Sequence, residues 1–276
     1  MQDFSYGIQE IWDKFGDFET ECISGIVENI RHVEDTQIHK MQADYLKKIG
    51  AFYVPDGEFL VSVFGESITD PRTGLFSAFN TCFLQDRLAI PLRFANGTVG
   101  GFVGYANKPK NWPEDTAFIK YGYPPKVAFN KGRYFFIEPE EIQKAIDDEY
   151  ICIVDGLFDK MILQCLGINA VSLCGSALTD WHKYYLSFIK HKIVIADNDQ
   201  AGRKLFNICR WKLSGVVELR QPYTGDIDDY LKTQGRIEEF LRVFNEMKSE
   251  GFILSKQIHE PKAKEHKTHG FTKGIV

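Results

Sequence analysis

The chain has 276 residues, of which 44% are apolar and 26% are charged, and this composition is typical of a folded globular protein and not of a disordered one. No apolar run approaches the roughly 20 residues that a membrane-spanning helix needs, which excludes a helical integral membrane protein. The net charge of −5, taken over the whole chain, argues against a polyanionic partner.

The charges are distributed unevenly along the chain. Residues 84–133 contain eight basic and three acidic side chains, whereas residues 134–162 contain eight acidic and two basic ones. A groove for a phosphate backbone beside a metal site would produce this pattern. Ordinary solvated surface would produce it too, and both interpretations stay open.

Six cysteines are scattered through the sequence, and none forms a C-x-x-C pair. We therefore expect reduced thiols and no zinc site in this chain. The first residues lack the apolar core of a signal peptide, so we expect the protein in the cytoplasm.

The N-terminal half is predicted to mix helices and strands. Residues 8–30 carry apolar side chains at helical period, which predicts a long helix that packs on the body or docks on a partner. A second helix is predicted over residues 41–49. Between residues 82 and 105, Asn96-Gly97 separates two strand-like runs and predicts a hairpin, and residues 108–125 are predicted to be irregular.

After residue 150, short apolar strands alternate with helical segments. This alternation predicts βαβ units, and hence an α/β fold with a parallel sheet and helices on both faces. The tail beyond residue 256 is basic and predicted to be mobile. The strands are predicted at residues 151–154, 170–173, 192–196 and 216–219, and the helices at residues 158–166, 181–189, 201–213 and 236–248.

Aspartates follow several of these strands. Asp197 and Asp199 are spaced i, i+2 at the end of a predicted strand, and side chains alternate along a strand, so this spacing predicts that both carboxylates point the same way. Clustered carboxylates are costly unless a cation shares them, and hard oxygen ligands suit Mg²⁺ or Mn²⁺. The alternative is an aspartate N-cap beside a solvated aspartate.

Further acids lie at corresponding places in the predicted sheet. Asp155 closes the first strand of this region with Asp159 one helical turn later, and Asp226 and Asp228 follow its last strand. Chemistry in parallel sheets collects at the carboxyl ends of strands. Two-metal phosphoryl transfer needs such a set of carboxylates, although each acid alone is also explained as a cap, a surface residue or a turn former.

The order of these acids resembles the TOPRIM domain of bacterial-type primases, topoisomerases and some nucleases, and four motifs resemble the primase branch. Residues 153–159 are similar to V-E-G-x-x-D, residues 197–203 to D-x-D-x-A-G-R, and residues 226–231 to D-P-D-E-Y-L. Upstream, the basic segment that ends in K-G-R at residues 131–133 is similar to that of the family, and residues 87–93 fit the strand that enters its basic subdomain.

The resemblance implies a DNA primase catalytic core that makes short RNA primers from NTPs on single-stranded DNA, with two or more Mg²⁺ or Mn²⁺ ions. It implies a catalytic role for Asp155, as a metal ligand or as general base. The metal ligands it implies are Asp197, Asp199, Asp226, Asp228 and Asp159. The residues it implies for catalysis or for binding nucleic acid and NTPs are Lys120, Lys131, Arg87, Arg133 and Arg203.

The sequence departs from the family at Asp155, where Glu is usual, and its shorter side chain changes the reach of this acid. The family's zinc-binding domain and helicase region have no counterpart in the sequence, so we expect a zinc-binding primase domain and a replicative helicase to act in trans, as in a phage-like replication system. A TOPRIM nuclease and a non-catalytic subunit that binds single strands or a helicase stay open as alternatives. The predicted division is a helical segment (1–44), a basic subdomain (45–149), a metal-binding subdomain (150–232), a helix (233–255) and a tail (256–276).

Overall fold

The computed structural model describes residues 36–54, 84, 86–93, 97, 99–106, 113, 116–123, 132, 134–175, 178–222, 225–232 and 236–258. The helix predicted over residues 8–30, the basic residues Lys131 and Arg133, and the tail after residue 258 lie outside the described residues. In the part of the chain that is described, no helix has the length and apolar character needed to cross a membrane.

The first half contains a four-stranded antiparallel sheet with the order β1-β2-β3-β4. The predicted hairpin is present, and Gly97 in its turn has φ +87°, a conformation that favours glycine. Pro91, which cannot donate to a ladder, lies in β2 beyond the three residues that pair with β1. The elements are α1 (Thr36–Ile49), β1 (Phe52–Val54), β2 (Arg87–Arg93), β3 (Val99–Tyr105) and β4 (Tyr121–Gly122).

The second half contains a five-stranded parallel sheet with the order β6-β5-β7-β8-β9. This sheet and its flanking helices confirm the predicted α/β fold class. The elements are α2 (Pro139–Asp147), β5 (Tyr150–Val154), α3 (Leu157–Cys165), β6 (Ala170–Ser172), α4 (Asp180–Leu186), β7 (His191–Val194), α5 (Gln200–Lys212), β8 (Val216–Arg220), α6 (Ile227–Leu231), α7 (Arg236–Ser249) and β9 (Lys256–Gln257).

Helices cover both faces of the parallel sheet because its strands are apolar on both sides. In β5, Cys152 and Val154 pack on the side of α6 and α7, and Ile151 and Ile153 pack on the side of α2, α4 and α5. Successive strand residues point to opposite faces, so one continuous apolar strand supplies two cores.

A third core joins the two sheets through α3. Its residues Leu157, Phe158 and Met161 pack with α1 and with Leu88 and Ile90 of β2. Farther along the same helix, residues 162 and 163 pack in the core on one face of the parallel sheet. The helix that begins just after Asp155 is therefore fixed on both sides.

Four elements differ from the predictions. Helices α2 and α6 were not predicted, and β4 lies inside the segment that was predicted to be irregular. The predicted tail from residue 256 was placed too early, since Lys256–Gln257 forms β9 and extends the sheet beside β8. Two-residue strands carry no periodicity of their own and form because a neighbouring edge offers hydrogen bonds.

Candidate metal centre

Three neighbouring strands of the parallel sheet end in segments that carry aspartates. Asp155 directly follows β5, Asp197 lies three residues after β7, and Asp226 lies six residues after β8. Because β5, β7 and β8 are adjacent and parallel, their carboxyl ends meet at one edge of the sheet. The sheet topology thus brings together acids that are far apart in sequence.

Asp155 has a carboxylate oxygen that no described residue satisfies. Its Oδ1 is buried and has no hydrogen-bond partner among the described residues. Burial, followed by the nearby charge of Asp199, raises the pKa of the Asp155 carboxyl. A buried carboxylate oxygen without a hydrogen-bond partner is rare because it destabilises the folded protein, and a bound cation would remove this destabilisation.

The pKa of Asp197 is affected by aspartates of all three of these segments. Burial, followed by the charges of Asp155, Asp226 and Asp199, raises the pKa of its carboxyl to about 7, while Lys120 acts in the opposite direction. The charges of Asp155, Asp226 and Asp199 act on Asp197 because the ends of their segments lie near one another. Hard oxygen donors in such a cluster fit Mg²⁺ or Mn²⁺, as the sequence predicts.

The D-x-D motif does not occupy a strand, and the alternation argument made from its spacing is wrong. Strand β7 ends at Val194, and Asp199 is the N-cap of α5, where its Oδ1 accepts a hydrogen bond from the Gly202 N–H at 2.7 Å. Asp226 is likewise the N-cap of α6 and accepts from the Asp229 N–H at 2.8 Å. An ionised carboxylate has about four acceptor positions, so capping leaves capacity for a metal.

Asp159 and Asp228 lie deeper and are bonded to the protein itself. The Asp159 carboxylate accepts from the Gly156 N–H at 3.0 Å and from the Asp228 N–H at 3.2 Å. Asp228 accepts from Gln42 Nε2 at 2.7 Å and forms a buried ion pair with Lys232. Burial, followed by the charges of Asp226, Asp228 and Asp197, raises the pKa of Asp159 well above its ordinary value.

Asp159 and Asp228, the inner aspartates, therefore connect α1, α3 and α6. They are more buried than Asp155, Asp197, Asp199 and Asp226, which we call the outer aspartates. Ligand atoms of Asp226, Asp228 and Asp229 lie within 4.8 Å of one another. Asp229 was not predicted as a site residue, although it adjoins Asp228 in the sequence. It is exposed, in contrast to Asp228.

Of the basic residues predicted for this site, Lys120 and Arg87 lie on the four-stranded sheet side. Lys120 Nζ lies 5.6 Å from the ring centroid of Tyr121 and 5.9 Å from that of Tyr105. Arg87 Nη1 donates to the Ile119 carbonyl at 2.8 Å and to the Lys120 carbonyl at 3.3 Å, so it holds the segment that carries Lys120. Tyr105 is buried against Phe158, with ring centroids 4.3 Å apart, and is a core residue.

Thr179 and His182 were not predicted, and both bind the basic segment. The Thr179 hydroxyl donates to the Gly132 carbonyl at 2.6 Å, and His182 Nε2 bonds to the Tyr134 carbonyl at 2.9 Å. The Thr179 N–H donates to His182 Nδ1 at 3.3 Å, which leaves the ring proton on Nε2. These bonds hold the backbone at Gly132 and at Tyr134. An [S/T]-x-x-H cap is the sequence feature that marks the start of α4.

Arg203, the last predicted basic residue, lies on the exposed side of α5, one turn after the Asp199 cap. It is therefore brought near the acidic cluster by chain connectivity alone.

Comparisons with known proteins agree with this geometry. Residues 152–231 match the family described as Toprim-like, and no curated protein matches the chain. The fold is similar to the Aquifex aeolicus primase (zinc-binding and RNA polymerase domains), with a TM-score of 0.64, 26% sequence identity and coverage of 87% of this chain and 60% of that one. The chain thus spans 60% of the length of the Aquifex structure.

Two further structures are similar at lower sequence identity. The RNA polymerase domain of Mycobacterium tuberculosis primase DnaG has a TM-score of 0.57 and 17% identity, and the alignment covers 83% of this chain and 81% of that one. A DnaG primase catalytic domain bound to ssDNA has a TM-score of 0.59 and 19% identity, with 87% and 82% covered. The acidic site at residues 155–228 therefore lies in a Toprim-like domain, and the chain has the fold of a TOPRIM-containing primase RNA polymerase core.

Proposed function

We propose that this protein is a DNA primase, a DNA-directed RNA polymerase that makes short RNA primers from NTPs on single-stranded DNA. The observation that carries the proposal is the convergence of Asp155, Asp197, Asp199 and Asp226 at the end of three parallel strands. One buried carboxylate oxygen of this group has no partner within the described part of the chain. The fold it shares with primase polymerase cores supports the same conclusion.

We assign the outer aspartates as the residues that would hold two or more Mg²⁺ or Mn²⁺ ions. Asp197, Asp199 and Asp226 would supply oxygens, with Asp228 and Asp159 behind them. Bound ions of this kind neutralise triphosphate charge and polarise the phosphorus that is attacked. Asp159 and Asp228 hold the scaffold in place through their bonds to Gly156, Gln42 and Lys232.

Asp155 and the basic residues would serve in proton transfer and in charge neutralisation. The raised pKa of Asp155 suits it to accept the proton of a primer 3′-hydroxyl. Lys120, whose charge already acts on Asp197, would contact the triphosphate, together with Lys131 and Arg133. Arg87 holds the Lys120 segment, so its contribution is to place that cation.

The partners follow from the same proposal. A DnaG catalytic domain of the same fold has been seen bound to ssDNA, which supports a single-stranded template here. We propose that a zinc-binding primase domain and a replicative helicase act in trans in the cytoplasm, as in a phage-like system.

Primer synthesis tests the proposal. The protein is incubated with single-stranded template, four NTPs and Mg²⁺ or Mn²⁺, and labelled oligoribonucleotides are resolved on a gel. Asp197→Asn and Asp199→Asn are expected to lower synthesis by at least about 100-fold, the order seen when a charge-stabilising group is removed from an active site. Asp147→Asn, an exposed aspartate on α2, is the matched control and should keep full activity.

The same assay distinguishes the other functions. Degradation of DNA without NTPs, abolished by Asp197→Asn, would identify a nuclease and refute polymerase activity. Binding of single strands without synthesis, and without specific uptake of Mg²⁺, would identify a non-catalytic subunit.

A further inference from the structure

One face of α5 is open to solvent along its whole length. A shallow groove of about 540 Å³ runs along it. The opposite face packs in the core through Gly202, Leu205 and Cys209. The lining residues recur every three or four positions and therefore share one side of the helix; they are Gln200, Arg203, Lys204, Asn207, Ile208 and Trp211.

The chemistry of this groove differs from that of the whole protein. Among the described residues that line it, Arg203 and Lys204 are cations and none is acidic, although the chain carries a net charge of −5. Within the part of the chain that the structure describes, neither Arg203 nor Lys204 forms an ion pair with an acidic side chain. A basic groove without acids complements a polyanion.

Trp211 is the most unusual residue of the groove because 82% of its side-chain surface is exposed. Tryptophan is normally buried over most of its area, and a wide open indole face is a surface on which a nucleobase stacks. Ile208, the other apolar residue of the lining, is only partly exposed. This small apolar area does not suit a protein interface, which needs a contiguous apolar centre.

The groove begins at the acidic cluster. Asp199 caps α5, and Gln200 is both the first residue of the helix and the first residue of the groove. From Gln200 to Trp211 the helix rises about 17 Å, at about 1.5 Å per residue. At about 3.4 Å per stacked nucleotide this distance spans roughly five nucleotides.

We propose that this groove binds the single-stranded nucleic acid that passes the metal centre, with Arg203 and Lys204 on its phosphates and Trp211 stacked on a base. The identity of the strand rests on the proposed primase function. The binding site itself does not, because it is defined by charge and by the exposed indole.

Binding of oligo(dT) to the full chain, measured by fluorescence anisotropy over a range of salt concentrations, tests the proposal. Trp211→Leu should weaken binding on the order of tenfold, and Trp211→Phe should restore most of the affinity because it keeps an aromatic face. Lys204→Gln should lower affinity and reduce the salt slope by about one. Arg210→Gln, an exposed cation of the same helix that does not line the groove, is the matched control and should change neither.

A second measurement locates the strand. Oligo(dT) that carries 5-iodouracil should cross-link on irradiation to the peptide containing Trp211, and Asp197→Asn should keep this cross-link while it abolishes primer synthesis. Unchanged affinity in Trp211→Leu and Lys204→Gln, or cross-links only outside α5, would overturn the proposal. Self-association that Trp211→Leu abolishes, with affinity for oligo(dT) unaltered, would assign the groove to a second copy of the chain and would overturn it too.

Discussion

Gly202 lies so close to the backbone of Asp197 that no side chain fits between them. A Cβ at this glycine would lie 2.0 Å from the Asp197 carbonyl oxygen and 2.8 Å from its nitrogen. The Gly202 N–H also bonds to Asp199, so one residue fixes the positions of both acids of the D-x-D motif. The glycine three residues after this motif is therefore a requirement of the corner that presents the carboxylates.

Gly202→Ala should displace Asp197, because the atoms that the new methyl would meet belong to the backbone. We expect a loss of stability of about 1–3 kcal/mol, typical of overpacking, although alanine is the better helix former. Urea denaturation and Mg²⁺ titration measure the two effects. Ala201→Gly, an exposed change in the same turn, is the control and should leave Mg²⁺ affinity unchanged. Normal Mg²⁺ affinity in Gly202→Ala would show that metal binding does not need the close contact between Gly202 and Asp197.

Asp197→Asn should stabilise the metal-free protein at high pH. The pKa of this carboxyl is about 7 in the folded chain, against about 3.9 in an unfolded one. The folded protein therefore binds more protons than the unfolded protein between these values, and its stability falls as pH rises from about 4 to about 7. With solvent screening of this half-exposed group, we expect a gain on the order of 1 kcal/mol at pH 8 and none near pH 4.

The measurement is denaturation in a chelator at both pH values, with Asp147→Asn as control. An equal effect of Asp197→Asn at the two pH values would contradict the raised pKa of Asp197. At pH 8, divalent cations should make the unsubstituted protein more stable than Asp197→Asn, because they stabilise only the chain that keeps Asp197.

Asp155→Ala should weaken Mg²⁺ binding by at least about tenfold, because it removes the carboxylate whose buried oxygen has no partner among the described residues. Calorimetric titration without nucleotide measures this directly and does not depend on primer synthesis. An unchanged affinity would remove Asp155 from the metal site and leave it only the role of proton acceptor.

Lys232→Met should destabilise the protein by about 3 kcal/mol, because it leaves the buried Asp228 carboxylate without its cation. The exposed i, i+4 pair of Arg242 and Glu246 supplies the control, and Arg242→Met should change stability little. Comparable unfolding midpoints for the two variants would mean that Asp228 does not need its buried partner.

Thr179→Val should raise the KM for NTPs or weaken template binding, since it frees the Gly132 carbonyl beside Arg133. The lost N-cap should cost about 1 kcal/mol of stability. Ser187→Ala removes a hydroxyl bonded within the same helix and should change neither binding parameter. If both variants bind alike, the cap of α4 has no role in placing the basic segment.

Strands β5 to β8 and helices α3, α4, α5 and α7 could be predicted from the sequence, because these strands are apolar runs and these helices have their own period. For α2 the necessary features were present and unused: Pro139 at the first helical position and Glu141 reaching back to the Glu138 N–H. Strand β9 could not be predicted, because two residues have no pattern and only the edge of β8 defines them.

The sequence predicted that these aspartates lie at one edge of the sheet, but it did not predict how they are bonded. Strand-end position was enough to group the aspartates, because sheet topology places the ends of β5, β7 and β8 together. The division into outer and inner acids depends on contacts such as Gln42 to Asp228, separated by 186 positions, and sequence spacing contains no information about them. Thr179 and His182 were missed for the same reason.

The core that packs α3 against α1 and β2 has a mechanical consequence. Phe158 and Met161 are buried among residues of the antiparallel sheet, and Lys160 is bonded to Tyr45 of α1 and to Glu141 of α2. Separating the two sheets as rigid bodies would expose this shared core to water, so we expect the sheets to move together. Adjustment to a bound ligand would then come from side chains and not from a change in the angle between the sheets.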